Sequence, residues 1–123
     1  MISDKTLDRL WSQAVRLKAN GRCRYCHRAL VEEPDPHHLG HCRNKYARWL
    51  LIVGIPVAHE CHIKLHTDPD AQAWEKRQFG ELIQRVKNVN YKQYLIDHGM
   101  TDEDFRAMRK AELEEYIEIH GGF

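Results

Sequence analysis

Four histidines, arranged in two different spacings, are the residues of this sequence best suited to metal chemistry. His37 and His38 are adjacent, whereas His62 and His66 lie four residues apart, which places both on one face of a helix within reach of one ion. A third ligand from a strand would give an open site with room for water and phosphate. Because successive strand residues face opposite ways, the other histidine of the adjacent pair would remain available as a base near neutral pH.

A second cluster is built on cysteine. Cys23 and Cys26 are three residues apart, a spacing at which two thiolates can bind one tetrahedral zinc ion from a tight turn. Cys61 is the expected third ligand. Three residues remain candidates for the fourth: His59, Cys42 and His41. The alternatives are that the cysteines are ordinary buried side chains and that the histidines only complete a structural zinc site. Four histidines in two spacings beside a cysteine pair favour two separate metal sites.

The N-terminal half predicts the elements that must carry these residues. Apolar residues recur at helical spacing in residues 1–21, with Ser3 as the N-cap and an end at Asn20-Gly21. Residues 22–42 contain Cys, His, Pro and Gly without a helical period, which is typical of a knuckle followed by a short hairpin. Residues 52–57 are β-branched around a proline and predict a short edge strand.

The C-terminal half is predicted to be helical. The spacing becomes helical over residues 60–66, and a further helix is expected to start near Asp70. Its buried stripe would comprise five residues: Trp74, Phe79, Leu82, Ile83 and Val86. A short helix should end at Gly99, and a last helix should be capped by Thr101.

Residues 23–69 resemble the HNH (ββα-metal) endonucleases that carry a zinc knuckle. The matching elements are Cys23-x-x-Cys26, His37-His38-Leu39, Arg48-Trp49, Gly54-Ile55-Pro56-Val57 and Cys61-His62-x-x-x-His66-Thr67-Asp68-Pro69. The sequence is most similar to phage-borne recombination endonucleases of the NinG type, which share the elements seen at Gly40-His41 and Arg48-Trp49. The resemblance covers somewhat over a third of the chain, and its specificity lies in the combination of elements.

The resemblance implies a role for each matching residue. His37, His62 and His66 would hold a divalent metal ion (Mg²⁺, Mn²⁺, Ni²⁺ or Zn²⁺), and His38 would be the general base that activates water. His41 is the alternative base. The three matching cysteines would hold a structural Zn²⁺: Cys23, Cys26 and Cys61.

The resemblance also implies the fold. The expected class is α+β, with a ββα-metal core and zinc knuckle in residues 22–69. An N-terminal helix in residues 1–21 and a helical extension in residues 70–123 would flank that core. The whole chain, residues 1–123, is expected to form one domain.

Two positions depart from the family pattern. The family usually has Asn nine residues before the position of His62, where this chain has Val53. That Asn braces the loop that bears the base, so we expect weak cleavage and expect Val53→Asn to raise the rate. We also expect the loop of residues 39–46 to be held by something else, such as His41 or Cys42 on zinc, or to be left mobile. Ala58 stands where the family usually has a further Cys.

Basic residues with interleaved aromatics could track the phosphates of a nucleic acid. The candidates are Arg22, Arg24, Arg28, Arg43, Lys45 and Arg48. The alternative is that these cations are solvated and that Trp49 belongs to the core. We expect a mixture, with Trp49 buried and some of the arginines on DNA.

The composition supports a polyanionic partner. The net charge of +1 is unevenly spread: residues 1–66 carry 11 Lys and Arg against 6 Asp and Glu, whereas residues 97–123 carry 3 against 8. The first region, which holds seven of the nine histidines, would attract DNA.

With 42% hydrophobic residues, no long apolar run and no signal-like start, we expect a protein of the bacterial host cytoplasm without a membrane partner. In the cytoplasm, cysteines bind metal ions more often than they form disulfides.

The sequence therefore predicts a metal-dependent DNA endonuclease, encoded by a phage or prophage and acting in DNA recombination or processing. A homodimer is possible. The alternative is a catalytically degenerate, zinc-stabilised module that binds DNA or a protein, which the departures at Val53 and Ala58 would favour.

Overall fold

The computed structural model describes residues 1–41 and 44–121. This part of the chain forms five α-helices and a two-stranded antiparallel sheet, which confirms the predicted α+β class. The elements in chain order are α1 (Asp4–Leu17), β1 (Asp35–His38), β2 (Gly54–Val57), α2 (His59–Thr67), α3 (Pro69–Lys87), α4 (Tyr91–Asp97) and α5 (Asp102–His120). Short 3₁₀ turns at Leu39–His41 and Leu51–Val53 adjoin the two strands.

Helix α1 is amphipathic and packs against α5 and the sheet. Ser3 caps it as predicted, since the serine hydroxyl accepts the backbone N–H of Thr6 at 3.1 Å. The helix ends at Leu17, earlier than the Asn20-Gly21 end expected from the sequence. The core it shares with α5 contains Leu7, Leu10, Trp11, Ala14, Val15, Trp49, Phe105, Leu113 and Ile117. Their burial fixes α5 and the segment that carries Trp49, between the two strands, against α1.

The two strands form the hairpin that holds the adjacent histidines. His37 pairs with Ile55 and His38 pairs with Gly54. Strand β2 is shorter than the predicted strand because residues 51–53 turn as a 3₁₀ helix before it. A Cβ atom at Gly54 would overlap the side chains of Val15 and Trp11, so glycine lets the hairpin lie directly on α1.

Helices α2 and α3 pack on the other side of the hairpin. Helix α2 begins at His59, directly after β2, and α3 follows with Asp68 as its N-cap and Pro69 at its first turn. The second core lies among Cys23, Leu39, Ile55, Val57, Cys61, Leu65 and Ala71. Of the stripe predicted for α3, Val86 is buried and the other four members are half-buried.

The last two helices follow the sequence closely. Helix α4 stops just before Gly99, which has a positive φ of 61°. Thr101 and Asp104 form a reciprocal capping box at the start of α5, which confirms the predicted cap at Thr101. Along the described part of the chain, none of the helices combines the length and the apolar character needed to cross a membrane.

Candidate metal centres and the histidine cleft

Strand β1 and helix α2 bring three histidines together. One ring nitrogen from each of His37, His62 and His66 lies within 4.8 Å of the other two. His62 and His66 meet because they are one helical turn apart, with ring centroids separated by 4.9 Å. His37 reaches them from the strand, with its ring 5.3 Å from that of His62 and 5.2 Å from that of His66. These are the three residues expected to bind the divalent metal.

The ring of His37 is the buried member of this cluster, with 1% of the residue exposed. Its Nε2 atom lies 2.5 Å from Oε1 of Glu75 on α3. Its Nδ1 atom is buried and has no hydrogen-bond partner among the residues described. A buried polar atom without a partner costs about 1–3 kcal/mol, and a metal ion bound at Nδ1 would remove that cost. Three imidazole nitrogens suit zinc, nickel or a related cation.

Asp35 orients the second histidine of the cluster. Its Oδ2 atom lies 3.0 Å from Nδ1 of His62 and 2.7 Å from Nδ1 of His59. When His62 donates its Nδ1–H to this carboxylate, its Nε2 atom is left as the ligand atom, and that atom lies 3.2 Å from Nε2 of His66. Burial alone would raise the pKa of Asp35, but the hydrogen bonds from His59 and His62 outweigh it and the pKa is lowered.

The surroundings of His66 favour the neutral ring. Burial lowers its pKa, and the neighbouring His37, His62 and His41 lower it further. The neutral imidazole is the form that binds a metal ion. His66 is therefore prepared for ligation near neutral pH.

His38 faces the opposite side of β1, as the strand alternation predicted. Its ring stacks on Trp11 of α1, and its Nε2 atom lies 3.0 Å from the carbonyl oxygen of Arg48. A carbonyl oxygen can only accept, so Nε2 carries the proton, and Nδ1 is the basic nitrogen of the neutral ring. His38 nevertheless lines the same open cleft of about 410 Å³ as His62 and His66. A molecule bound in this cleft could contact His38, His62 and His66 together.

His41, the alternative base, also lies at this cleft. Its ring centroid is 4.7 Å from that of His66. The backbone of His41 has a positive φ of 55°, and the preceding Gly40 has a φ of 57°. A left-handed conformation is uncommon for residues other than glycine and is concentrated at functional sites.

Helix α1 holds the segment whose Arg48 carbonyl contacts His38. The carboxylate of Asp8 accepts two hydrogen bonds from Arg48, at 3.0 and 2.7 Å, and a third from the indole of Trp49 at 2.8 Å. Trp11 donates its indole N–H to the carbonyl of Leu50 at 3.0 Å. Val53 is fully buried and packs, as expected, instead of supplying the amide usual at this position. The segment of residues 48–50 is thus tied to α1.

The cysteines form a separate cluster. The sulfur atoms of Cys23, Cys26 and Cys61 lie within 4.8 Å of one another, so the three could bind a metal such as zinc. The backbone N–H of Ala58 donates to the sulfur of Cys23 at 3.3 Å, and Arg28 donates to that of Cys26 at 3.5 Å. These contacts with N–H donors suit thiolates, the form that binds metal.

The acidities of two thiols differ strongly. Burial would raise the pKa of Cys26, but hydrogen bonds from Arg28 outweigh it and lower the pKa to about 7. Burial raises the pKa of Cys61 to about 12, and its hydrogen bonds with Cys26 and Cys23 raise it as well. Without a bound cation, the thiol of Cys26 therefore ionises more readily than that of Cys61.

The structure does not bring a fourth ligand to the thiols from the residues it describes. The side chain of His59 is 72% exposed and is paired with Asp35, whose hydrogen bond raises the pKa of His59. His41 lies at the histidine cleft. Cys42 lies outside the described residues, so its assignment to zinc stays a prediction.

The cations predicted to contact DNA have several different environments. Arg22 and Arg24 line a second cleft, together with Lys18. Arg28 pairs with Glu60, and Lys45 lies over the ring of Tyr91.

The environment of Arg48 points to a structural contribution. It pairs with Asp8 and Asp4 of α1. These ion pairs hold the segment around Arg48 against α1. Arg43 lies outside the described residues. Trp49 is buried, as expected.

Four site residues were missed by the sequence interpretation: Asp8, Trp11, Asp35 and Glu75. One of them carried a visible signal. Glu75 stands four residues from both Ala71 and Phe79, on the inward face of α3, where a carboxylate is retained only if it has a partner. Asp8 and Trp11 carried no comparable signal, because their partners lie about 40 residues away along the chain.

No protein-family model, curated protein or solved structure matches the chain. Function is therefore inferred from the chemistry of the two clusters and of the cleft between β1, α1 and α2.

Proposed function

We propose that this chain is a metal-dependent DNA endonuclease of the HNH type. The observation that carries the proposal is the buried ring of His37, which has an unpartnered Nδ1 atom and offers one ring nitrogen within 4.8 Å of nitrogens of His62 and His66. The next residue, His38, faces the other side of the strand, where a backbone carbonyl fixes one ring nitrogen. A three-nitrogen metal site and a separately held base at one cleft are what hydrolysis of a phosphodiester requires.

The chain order of β1, β2 and α2 supports the proposal, because a ββα-metal core would need two strands followed by a helix in this order. Strand β1 carries His37 and His38 on opposite faces, and α2 carries His62 and His66 one turn apart. A divalent cation held by the three clustered histidines would supply positive charge to the scissile phosphate and to the leaving oxygen. No histidine of this cluster needs to transfer a proton.

In the proposed reaction, His38 takes the proton of a water molecule on its Nδ1 atom. The resulting hydroxide attacks phosphorus in line, the bond from phosphorus to the 3′ oxygen breaks, and the leaving 3′ oxygen takes a proton from solvent water, which leaves 5′-phosphate and 3′-hydroxyl ends. His38 returns its proton to solvent. The carbonyl of Arg48 and the ring of Trp11 keep the imidazole of His38 in one orientation. A fixed orientation matters because general bases act only within hydrogen-bond reach of the proton they accept.

The cysteine cluster has a structural role in this proposal. Cys23 and Cys26 precede the hairpin, whereas Cys61 lies in the first turn of α2, directly before His62. Zinc held by the three thiolates would tie the start of α2 to the knuckle. It would thereby fix the helix that carries His62 and His66 relative to β1.

The decisive test is a nicking assay on supercoiled plasmid with Mg²⁺, Mn²⁺ or Ni²⁺, compared with EDTA. We expect cleavage that requires the divalent cation and is lost in His62→Ala. His120→Ala is the matched control, because His120 is exposed at the end of α5, and it should cleave at the unaltered rate. DNA binding without cleavage under all three cations, by folded protein that contains zinc, would instead support the non-catalytic zinc-stabilised module.

A further inference from the structure

A buried carboxylate contacts the metal cluster from outside the stretch that resembles a known family. Glu75 lies on α3 with 7% of the residue exposed. Its Oε1 atom is 2.5 Å from Nε2 of His37. Burying a carboxylate without a partner costs free energy. The buried position of Glu75 is therefore explained by its contact with His37. The rest of this face of α3 packs apolar side chains: Ala71, Trp74, Phe79, Leu82 and Ile83.

We propose that Glu75 is a positioning residue that fixes the ring and the tautomer of His37 for metal binding. The inference rests on the proposed metal site. A carboxylate can only accept, so the Nε2–H of His37 donates to Glu75 and the lone pair of the neutral ring lies on Nδ1. That Nδ1 atom is the buried atom without a partner, and it belongs to the ring that meets His62 and His66.

A simple buried ion pair explains the geometry less well. A doubly protonated His37 would have two N–H donors, of which Glu75 satisfies one. The other would remain buried without an acceptor among the described residues, at a cost of about 1–3 kcal/mol. A neutral ring whose Nδ1 binds a cation leaves neither nitrogen unsatisfied. Carboxylates that hold a ligating histidine in this way recur in metal sites, and their removal weakens metal affinity.

Asp35 provides an internal comparison. It accepts from Nδ1 of His62 and so directs the opposite nitrogen, Nε2, to the cluster. Its side chain is half-buried and is shared with His59, whereas Glu75 is buried against His37. Of the two carboxylates, Glu75 is therefore expected to have the larger effect on metal affinity.

The test measures Ni²⁺ affinity by calorimetry on the full chain with its cysteine cluster loaded with zinc. Glu75→Ala should weaken Ni²⁺ binding by about 10- to 100-fold. Glu75→Gln keeps an acceptor oxygen for Nε2–H and should lose less. Glu81→Gln is the matched control, because Glu81 is exposed on the same helix, and its affinity should equal that of the unaltered protein. Thermal unfolding without Ni²⁺ identifies variants that are folded.

The outcomes separate this inference from the proposed function. Unchanged Ni²⁺ affinity in folded Glu75→Gln and Glu75→Ala would overturn the role of Glu75 while leaving the metal site intact. Absence of Ni²⁺ binding that depends on His62, in the unaltered protein, would overturn both. Ni²⁺ binding that depends on Glu75, in a protein that cuts no DNA, would support the positioning role and refute the endonuclease.

Discussion

The indole ring of Trp11 lies flat on the imidazole of His38, with ring centroids 3.8 Å apart and ring planes 7° from parallel. The same indole donates its N–H to the carbonyl of Leu50, while His38 meets the carbonyl of Arg48 two residues earlier. One side chain of α1 thus contacts both the proposed base and the segment that orients it. This relationship makes the N-terminal helix part of the proposed catalytic machinery.

Substitution of Trp11 should slow cleavage more than it weakens metal binding. Trp11→Phe keeps an aromatic ring against His38 but removes the N–H donated to Leu50, whereas Trp11→Leu also removes the stack. We expect the larger loss for Trp11→Leu, on the order of 10- to 100-fold in rate, because small misplacements of a reacting group have effects of that size. Single-turnover cleavage and Ni²⁺ calorimetry on the same samples check this. An equal loss of metal affinity would show that Trp11 acts only through the fold.

Substitution of the proposed base should slow cleavage strongly without loss of metal binding. We expect His38→Ala to reduce the rate by roughly 10²- to 10⁴-fold, as is typical of general bases. Folding, DNA binding and Ni²⁺ affinity should change little, because His38 lies on the opposite face of β1 from His37. If His38→Ala cleaves at the unaltered rate, His41, which lines the same cleft, becomes the better candidate.

The sequence could predict the relative positions of the clustered histidines where those positions depend on local geometry. The spacing of His62 and His66 is one helical turn, and the opposed directions of His37 and His38 follow from strand alternation. Both features depend on neighbours only a few residues away. The caps at Ser3 and Thr101 were predictable for the same reason.

The residues that orient these ligands could not be predicted in the same way. Asp8 meets Arg48 across 40 positions of the chain, and Glu75 meets His37 across 38. Such pairs arise when helices pack, and periodicity within one helix does not specify which partner its polar residues will meet. For Glu75 the sequence could show that a buried partner was required, but not that the partner was His37.

The cysteine cluster should hold about one zinc ion per chain, and its loss should destabilise the protein. Cys23→Ser replaces a buried ligand, so zinc content and melting temperature should fall together, because metal binding contributes folding energy in small knuckles. Elemental analysis and thermal unfolding check this. Ser12→Ala, a substitution at the rim of the histidine cleft, is a control that should retain the zinc. Protein purified without chelator and free of zinc would contradict the assignment.

DNA affinity should depend strongly on salt and weakly on sequence. If the cations of the N-terminal half contact phosphates, Arg24→Ala should weaken binding to all sequences and lower the slope of log affinity against log salt by about 1. Arg48→Ala should change that slope less, since Arg48 pairs with Asp8 and Asp4. Fluorescence anisotropy at several salt concentrations measures both. If the slope is the same in Arg24→Ala and in the unaltered protein, Arg24 does not contact the DNA phosphates.

Val53 tests whether helix α1 replaces the asparagine that the family resemblance implies. The family resemblance alone predicts that Val53→Asn raises the cleavage rate by bracing the loop near the proposed base. In the structure Val53 is fully buried beside Ala47 and Val86, and Asp8 and Trp11 already hold the adjoining segment. Helix α1 thus already braces residues 48–50, whose Arg48 carbonyl contacts His38.

We therefore now expect Val53→Asn to leave the cleavage rate unraised and to lower stability by about 1–3 kcal/mol, because a polar amide enters an apolar environment. Ile52→Asn is the matched control. It adds the same amide at the neighbouring position, which is 56% exposed, and should unfold close to the temperature of the unaltered protein. Thermal unfolding and single-turnover cleavage at saturating DNA measure the two effects. A faster Val53→Asn would mean that Trp11 and Asp8 leave the base imperfectly held, and the original expectation from the sequence would then stand.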